Sequence, residues 1–180
     1  MIRSFFFGLL VIAIIPLYAQ EQKWQLNTQK SEITYAANHL LHPWKGVNKN
    51  TRGVIVVNPD SMQLKEIAVL ALVRDFDSNN EGRDAHALEV LEALSYPEVR
   101  FYSNLIENQD NALLIHGVLD FHGVKKNISI EVDQKNKSDQ LVLTGNFEIK
   151  PSMYEVPLPS FMMVKIDDIL TFEFKLEFSP

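Results

Sequence analysis

The sequence predicts a mainly β protein: an antiparallel up-and-down barrel of about eight strands, with one short amphipathic helix near the middle of the chain. Three observations carry that prediction. Apolar residues recur at period two through most of the 180 residues, the pattern of strands that bury one face. A single run, Arg83 to Phe101, keeps a helical period instead. The strands also follow one another in hairpin succession, which leaves two exposed edges unless the sheet curls closed. About eight strands close around packed side chains or one small ligand. A β-sandwich accounts less well for a solitary central helix and for so many inward aromatics.

The N-terminal segment stands apart from this pattern. Arg3 precedes an unbroken apolar run from Phe5 to Ile15, and Leu17-Tyr18-Ala19 offers small-residue cleavage before Gln20, as in a secretory signal peptide. The apolar run is shorter than the roughly 20 residues of a membrane-spanning helix. Residues 1–19 are therefore expected to be a cleaved signal. Residues 20–180 are expected to form one domain, exported to the periplasm and without an integral membrane span. Cysteine is absent, which excludes a lipoprotein anchor, disulfides and thiol redox chemistry. With 17 basic against 23 acidic residues, the net charge of −6 argues against nucleic acid or an anionic bilayer as partner.

Along the chain, Trp24 to Asn27 reads as a first strand and Ser31 to Leu40 as a second, with Ile33, Tyr35, Ala37 and His39 on one face. His42-Pro43 reads as a break. Thr51 to Val57 is a third strand, stopped by Asn58-Pro59-Asp60. Lys65 to Phe76 is apolar on both faces in its middle, which implies a strand covered on both sides or a dimer contact. The polar loop Asp77 to Gly82 leads into the helix. There Asp84 is the expected N-cap, and Ala87, Val90, Leu91 and Leu94 share a face. Tyr96-Pro97 is expected to end it, because proline pushes the preceding residue out of helical conformation. A lone amphipathic helix in a β chain must lay its apolar face over an open part of the sheet, so on a barrel it is a lid or plug.

Val99 and Phe101 resume the alternation to about Ile106, and Ala112 to Phe121 pairs back. A tight turn at His122-Gly123 follows, then a strand from Lys126 to Val132, a solvated loop from Gln134 to Asp139, and a strand from Leu141 to Ile149. Lys150 to Phe161 is irregular, with three prolines. The cleanest strand is the last: Leu170, Phe172, Phe174, Leu176 and Phe178 form a dry face, Thr171, Glu173, Lys175 and Glu177 a wet one.

Several of these segments resemble the YceI-like family of secreted bacterial proteins. Trp24 with Ser31-Glu32-Ile33-Thr34-Tyr35 is similar to the family's opening strand pair, and His39 to the histidine that ends its second strand. Arg83-Asp84-Ala85-His86, with Tyr96-Pro97-Glu98-Val99-Arg100-Phe101, resembles its central RD-x-H and YP-x-x-x-F signature. Gly117 to Lys126 resembles its G-x-L-x-x-x-G-V-x-K hairpin. The resemblance implies a lipocalin-like barrel that binds polyisoprenoid or other long-chain amphiphiles. The chain departs from the family at Asn79-Asn80-Glu81-Gly82, at Leu88-Glu89-Val90-Leu91 and at Lys150 to Tyr154, segments expected to border the barrel mouth.

On this reading the tunnel lining would include Tyr35, Ala37, His39, Leu70, Phe101, Phe121, Ile130, Phe147, Phe172 and Phe174. Arg83, Asp84, His86, Leu91, Met153, Tyr154, Phe161 and Met162 would form the mouth and lid. A barrel filled by its own side chains remains the alternative. For Arg83 and Asp84 the favoured role is structural, Asp84 capping the helix and Arg83 pairing with a carboxylate on a neighbouring strand. The competing role has Arg83 meeting an anionic head group at the helix N-terminus. The five histidines, at 39, 42, 86, 116 and 122, match no zinc spacing, so no metal or cofactor is expected. No nucleophile or phosphate-loop motif is present either, and no catalytic residue is assigned. The expected function is enclosure of a long-chain lipid or isoprenoid, with a homodimer possible. Its rivals are an exported protein-interaction module in envelope stress or respiration, with specificity on the Met-rich loop, and a metal-dependent hydrolase. The hydrolase would require Asp84, His86 and His122 to converge.

Overall fold

The computed structural model describes residues 21–39, 42–110, 112–137, 139–161 and 164–180, so the expected signal segment lies outside the described residues. The strands are β1 (Gln22–Leu26), β2 (Glu32–His39), β3 (His42–Asn48), β4 (Arg52–Asn58), β5 (Gln63–Leu72) and β6 (Phe76–Asp77). The helix α1 (Glu81–Val90) follows, then β7 (Glu98–Asn108), β8 (Leu113–Phe121), β9 (Val124–Lys137), β10 (Gln140–Ile149), β11 (Ser160–Phe161), β12 (Val164–Lys165) and β13 (Leu170–Ser179).

Three pairs of these segments are halves of bent staves. β1 pairs with β4 and β2 with β3, which makes one long hairpin; β4 pairs with β5 and β3 with β6, which makes the next. Counted this way, the sheet is an eight-stave antiparallel meander. Its last stave, β13, closes on the first, with Phe172 opposite Tyr35 and Ser179 opposite Gln25. Closure satisfies both edges, and the predicted barrel is what forms.

Buried polar side chains hold the bends. Asn48 is fully buried; its Oδ1 accepts from Asn50 N at 2.8 Å and Thr51 Oγ1 at 3.3 Å, and its Nδ2 donates to the Leu72 carbonyl at 3.1 Å. In the first stave, a 3-10 turn at Thr28–Lys30 is pinned to β13. Glu177 N donates to Ser31 Oγ, and Lys30 Nζ meets the Glu177 carboxylate at 2.9 Å. Glu177 is consequently buried, although the alternation of β13 places it on the wet face.

The structure corrects several expected boundaries. β3 begins at His42-Pro43 instead of breaking there, because a proline near a strand's first residue gives up little of the ladder. The ladder of β9 runs on to Lys137 opposite Gln140, so the expected loop from Gln134 is mostly strand. Asn80, not Asp84, caps α1, its side chain accepting from Arg83 N at 2.9 Å. The helix ends at Val90, and Glu92 at φ 44° turns the chain well before Tyr96-Pro97. Leu94, expected on the buried face, is 103% exposed. His122-Gly123 is the expected two-residue turn, with φ of 52° and 74° between the paired Phe121 and Val124.

The two ends of the barrel differ. At one end, Trp24, Ile55, Leu141 and Phe178 are 0–3% exposed and pack into a solid floor. The other end gathers the facing ends of β2 and β3 at His39 and His42, the passage through α1, the His122-Gly123 turn and residues 150–161 and 164–169.

Candidate functional site

Above the floor the barrel is hollow. A cavity of about 90 Å³ is lined by apolar side chains, among them Ile67, Val69, Phe101, Ile130, Phe147 and Phe174. Three glycines on the staves make room for aromatic rings, Gly117 and Gly145 at this space and Gly46 at the one above it. A Cβ on Gly117 would stand 2.4 Å from the Phe101 ring, one on Gly145 2.8 Å from Phe174, and one on Gly46 2.3 Å from Tyr35. Each missing side chain leaves room for an aromatic ring, and at Gly117 and Gly145 also for the close approach of a backbone carbonyl, that of Tyr102 at 2.6 Å and that of Glu131 at 2.7 Å from where the Cβ would stand. Phe147 and Phe172 stack at 5.1 Å with 11° between their planes, which thickens one side.

A second space, about 170 Å³, lies above it and shares Phe76, Val99, Phe121 and Phe172 as a common collar. Ala87, Leu88, Val90 and Leu91 of α1 roof it, with Val156, Pro157, Pro159 and Ile166 from the irregular segment. Polar groups appear only around the upper space, at Tyr35, Trp44, Arg74, Arg83, Asp84 and His86.

These polar groups form a brace. Arg83 Nε donates to Ser78 Oγ at 2.9 Å, and its Nη2 donates to the Ser78 carbonyl at 3.0 Å. Ser78 Oγ in turn donates to Asp84 Oδ1 at 2.5 Å, and Ser78 N to Oδ2 at 3.1 Å. The guanidinium of Arg83 also sits 5.7 Å from the centre of the Trp44 ring. Arg83 and Asp84 therefore tie the first turn of the lid to the loop before it. Neither plays the role expected: Asp84 is not the N-cap, and the partners of Arg83 are Ser78 and Trp44 rather than a strand carboxylate. Burial raises the Tyr35 hydroxyl above its ordinary 10.0; a hydrogen bond with Trp44 opposes this, the Asp84 charge adds to it and the Arg83 charge opposes it. At the base of the irregular segment, Ser152 Oγ and N both donate to the Asp168 carboxylate, holding it below its ordinary 3.8.

Of the expected lining, Phe101, Phe121, Ile130, Phe147, Phe172 and Phe174 surround the lower space, and Tyr35 and Ala37 the upper. Leu70 does not. Its neighbours Val69 and Ala71 face inward, so Leu70 lies on the outer surface, opposite Arg52 and Arg100. Arg83, Asp84, His86 and Leu91 border the upper space as expected. Tyr154 is instead 2% exposed, packs edge-on against Phe121 at 5.5 Å and is an anchor within the wall. Met153, at 53% exposure, points to solvent. His39 ends β2 opposite His42, and Phe161 pairs with Val164 in β11; the side chains of His39 and Phe161, and the whole of Met162, lie outside the described residues.

Trp44 and Phe76 were missed from sequence, Trp44 because its strand was read as a break. His122 does not border either space. Its Nδ1 meets the Tyr154 carbonyl at 3.0 Å, and its ring lies 4.6 Å from Tyr96. Among the described residues, no three His, Asp or Glu side chains are grouped to hold a metal ion. No helix among them is long and apolar enough to cross a membrane.

Comparison with known proteins agrees with this geometry. Residues 24–178 match the YceI-like domain. BcnA of Burkholderia cenocepacia shares the fold at a TM-score of 0.76 and 18% identity, over 84% of this chain and 98% of that one. A polyisoprenoid binding domain from Saccharophagus degradans, implicated in plant cell wall breakdown, gives 0.71 at 13% identity over 87% and 97%. A Campylobacter jejuni YCEI protein gives 0.68 at 21% identity over 79% and 89%. No curated protein matches the sequence.

Proposed function

The chain belongs to the YceI-like domain family, and from that membership we propose that it is a periplasmic carrier enclosing a long-chain apolar or amphiphilic ligand, of the polyisoprenoid or fatty-acyl type. The observation that carries this reading is a closed barrel whose interior is wholly apolar and whose few polar groups ring one end beneath a helix. The tail lies in the lower space and the polar head near Tyr35, Trp44 and Arg83. Each methylene buried there contributes about 0.8 kcal/mol, so affinity comes from enclosure with few polar contacts. The polyisoprenoid-binding neighbour supports the same ligand class, and the apolar run from Phe5 to Ile15 supports export. Native mass spectrometry of protein purified without detergent tests the reading. A co-purified mass matching a lipid supports it; an empty protein that takes up no prenyl or fatty-acyl probe overturns it.

The outer face favours self-association beside this role. Tyr102 and Val118, paired across β7 and β8, are exposed and continue the row of Val54 and Ala68. Exposed Arg52 and Glu66 flank that row on opposite sides. A two-fold axis along it brings Arg52 of one copy near Glu66 of the other, so a homodimer is the expected assembly. Light scattering on Tyr102→Glu should show monomer with ligand uptake intact; a monomeric wild-type protein refutes it.

A further inference from the structure

The barrel is packed solid at one end, and the depth above that floor can be read from the chain. The inward positions that border the two spaces run from Leu176 up to Leu170 on β13, from Leu143 to Ile149 on β10 and from Ile115 to Phe121 on β8. Each span is six residue steps. At about 3.3 Å per residue and a strand tilt of about 40°, the wall is about 15 Å deep. Below Leu143 and Leu176 there is no continuation, because Trp24, Ile55, Leu141 and Phe178 are packed there at 0–3% exposure. The bore is narrow as well. An eight-strand barrel has room for one small ligand, and the rings over Gly46, Gly117 and Gly145, with the Phe147–Phe172 stack, line what remains.

We propose that the barrel is a blind well that measures its ligand, admitting one straight chain of about 12–16 carbons, at about 1.25 Å advance per carbon, with the last few carbons in the upper space. Leu143 and Leu176 are the length-determining residues, since the terminal methyl stops on them and the packed layer beneath does not yield. A longer chain leaves its excess at the mouth, where the added methylenes gain little. This inference rests on the carrier reading and narrows it to a length class.

The test is a series of straight-chain carboxylic acids displacing a fluorescent fatty-acid probe. From about 8 carbons upward, each added methylene should tighten binding about fourfold while it is still being buried. The gain should stop at about 14–16 carbons. Ile130→Phe places a ring in space already open one inward row above Val132, so the fold persists and the break should move about three to four carbons shorter. Leu176→Ala should move it about two carbons longer. Affinity that climbs undiminished past about 18 carbons, or a break that Ile130→Phe leaves in place, overturns the measured well while leaving the carrier standing. No binding at any length overturns both.

Discussion

Gly46→Ala tests how the upper space is kept open. Gly46 lies opposite Tyr35 across the β2–β3 ladder. A Cβ on it would stand 2.3 Å from Tyr35 Cε1, 2.8 Å from Cζ and 3.0 Å from the hydroxyl oxygen. All three atoms belong to one side chain, so the backbone can stay while the ring must leave. The ring is not free to do so, since it packs edge-on against Phe76 at 5.6 Å and its hydroxyl is hydrogen-bonded with Trp44. Replacing a strand glycine by alanine would by itself stabilise by about 0.5–1 kcal/mol. Overpacking costs about 1–3 kcal/mol, and a lost hydrogen bond about 1 kcal/mol. The net expectation is a destabilisation of about 1–3 kcal/mol.

Urea denaturation of Gly46→Ala, Tyr35→Ala and the double variant measures this directly. With Tyr35 cut back, the added methyl has room, so the same glycine change becomes neutral or stabilising by up to about 1 kcal/mol. The coupling energy should then be about 2–3 kcal/mol. Probe uptake gives an independent readout. A displaced ring enters the upper space, so Gly46→Ala should bind the probe more weakly, and the double variant should recover. A Gly46→Ala protein that is more stable than wild type, or additive effects in the double variant, refutes the reasoning.

Other predictions concern the bends, the mouth and the lid. Asn48→Ala strands the Leu72 carbonyl and the Thr51 hydroxyl in the interior, and urea unfolding should show a loss of about 2–4 kcal/mol. Because burial raises the Tyr35 hydroxyl above 10.0, the folded state holds that proton more tightly than the unfolded chain. Its contribution is whole below pH 10.0 and is lost as pH rises through the folded value, so Tyr35→Phe should flatten the fall in stability measured above pH 10.0. No residue of α1 is fully buried; its amides should exchange with solvent while those of β8, β10 and β13 stay protected, and equal protection would show that the lid opens only with the whole barrel.

The closed meander was legible because period-two alternation is local and survives in nearly every stave, most plainly from Leu170 to Phe178. Where the alternation carries no phase, the reading failed. Lys65 to Phe76 is apolar on both faces, so either phase fits, and only the register of Val69 against Phe101 shows that Leu70 points outward. Glu177 was placed in water for the opposite reason: its own strand alternates cleanly, but its partners Lys30 and Ser31 lie almost the whole chain away. Tyr154 was expected at the mouth, in a segment with three prolines, and it packs instead against Phe121 and His122. Pro43 hid the strand that carries Trp44. For Leu70, Glu177 and Tyr154 the missing information was a contact distant in sequence, which periodicity cannot supply; for Trp44 it was a proline that the edge of a strand tolerates.

The division of the barrel into a packed end and a hollow end follows from how the chain closes. The first and last staves meet at both ends of β13, but at the floor they meet through Leu26 and Phe178 over Trp24, Ile55 and Leu141, an apolar layer without gaps. At the mouth the first stave has already bent at its 3-10 turn; β2 stays paired with β13 up to Ala37 opposite Leu170, and β3 turns to pair with the short β6. The upper space is covered by α1 and by Val156, Pro157, Pro159 and Ile166 of the irregular segment, and these parts are tied down by polar bonds, Arg83 and Asp84 to Ser78 and Asp168 to Ser152. Such bonds exchange readily for bonds to water, whereas the floor can open only by exposing its apolar layer. Access and stability are thus carried by opposite ends of the same eight staves. The Arg83-Asp84 pair, read from sequence as a cap and a strand partner, instead ties α1 to Ser78 at the end opposite the floor.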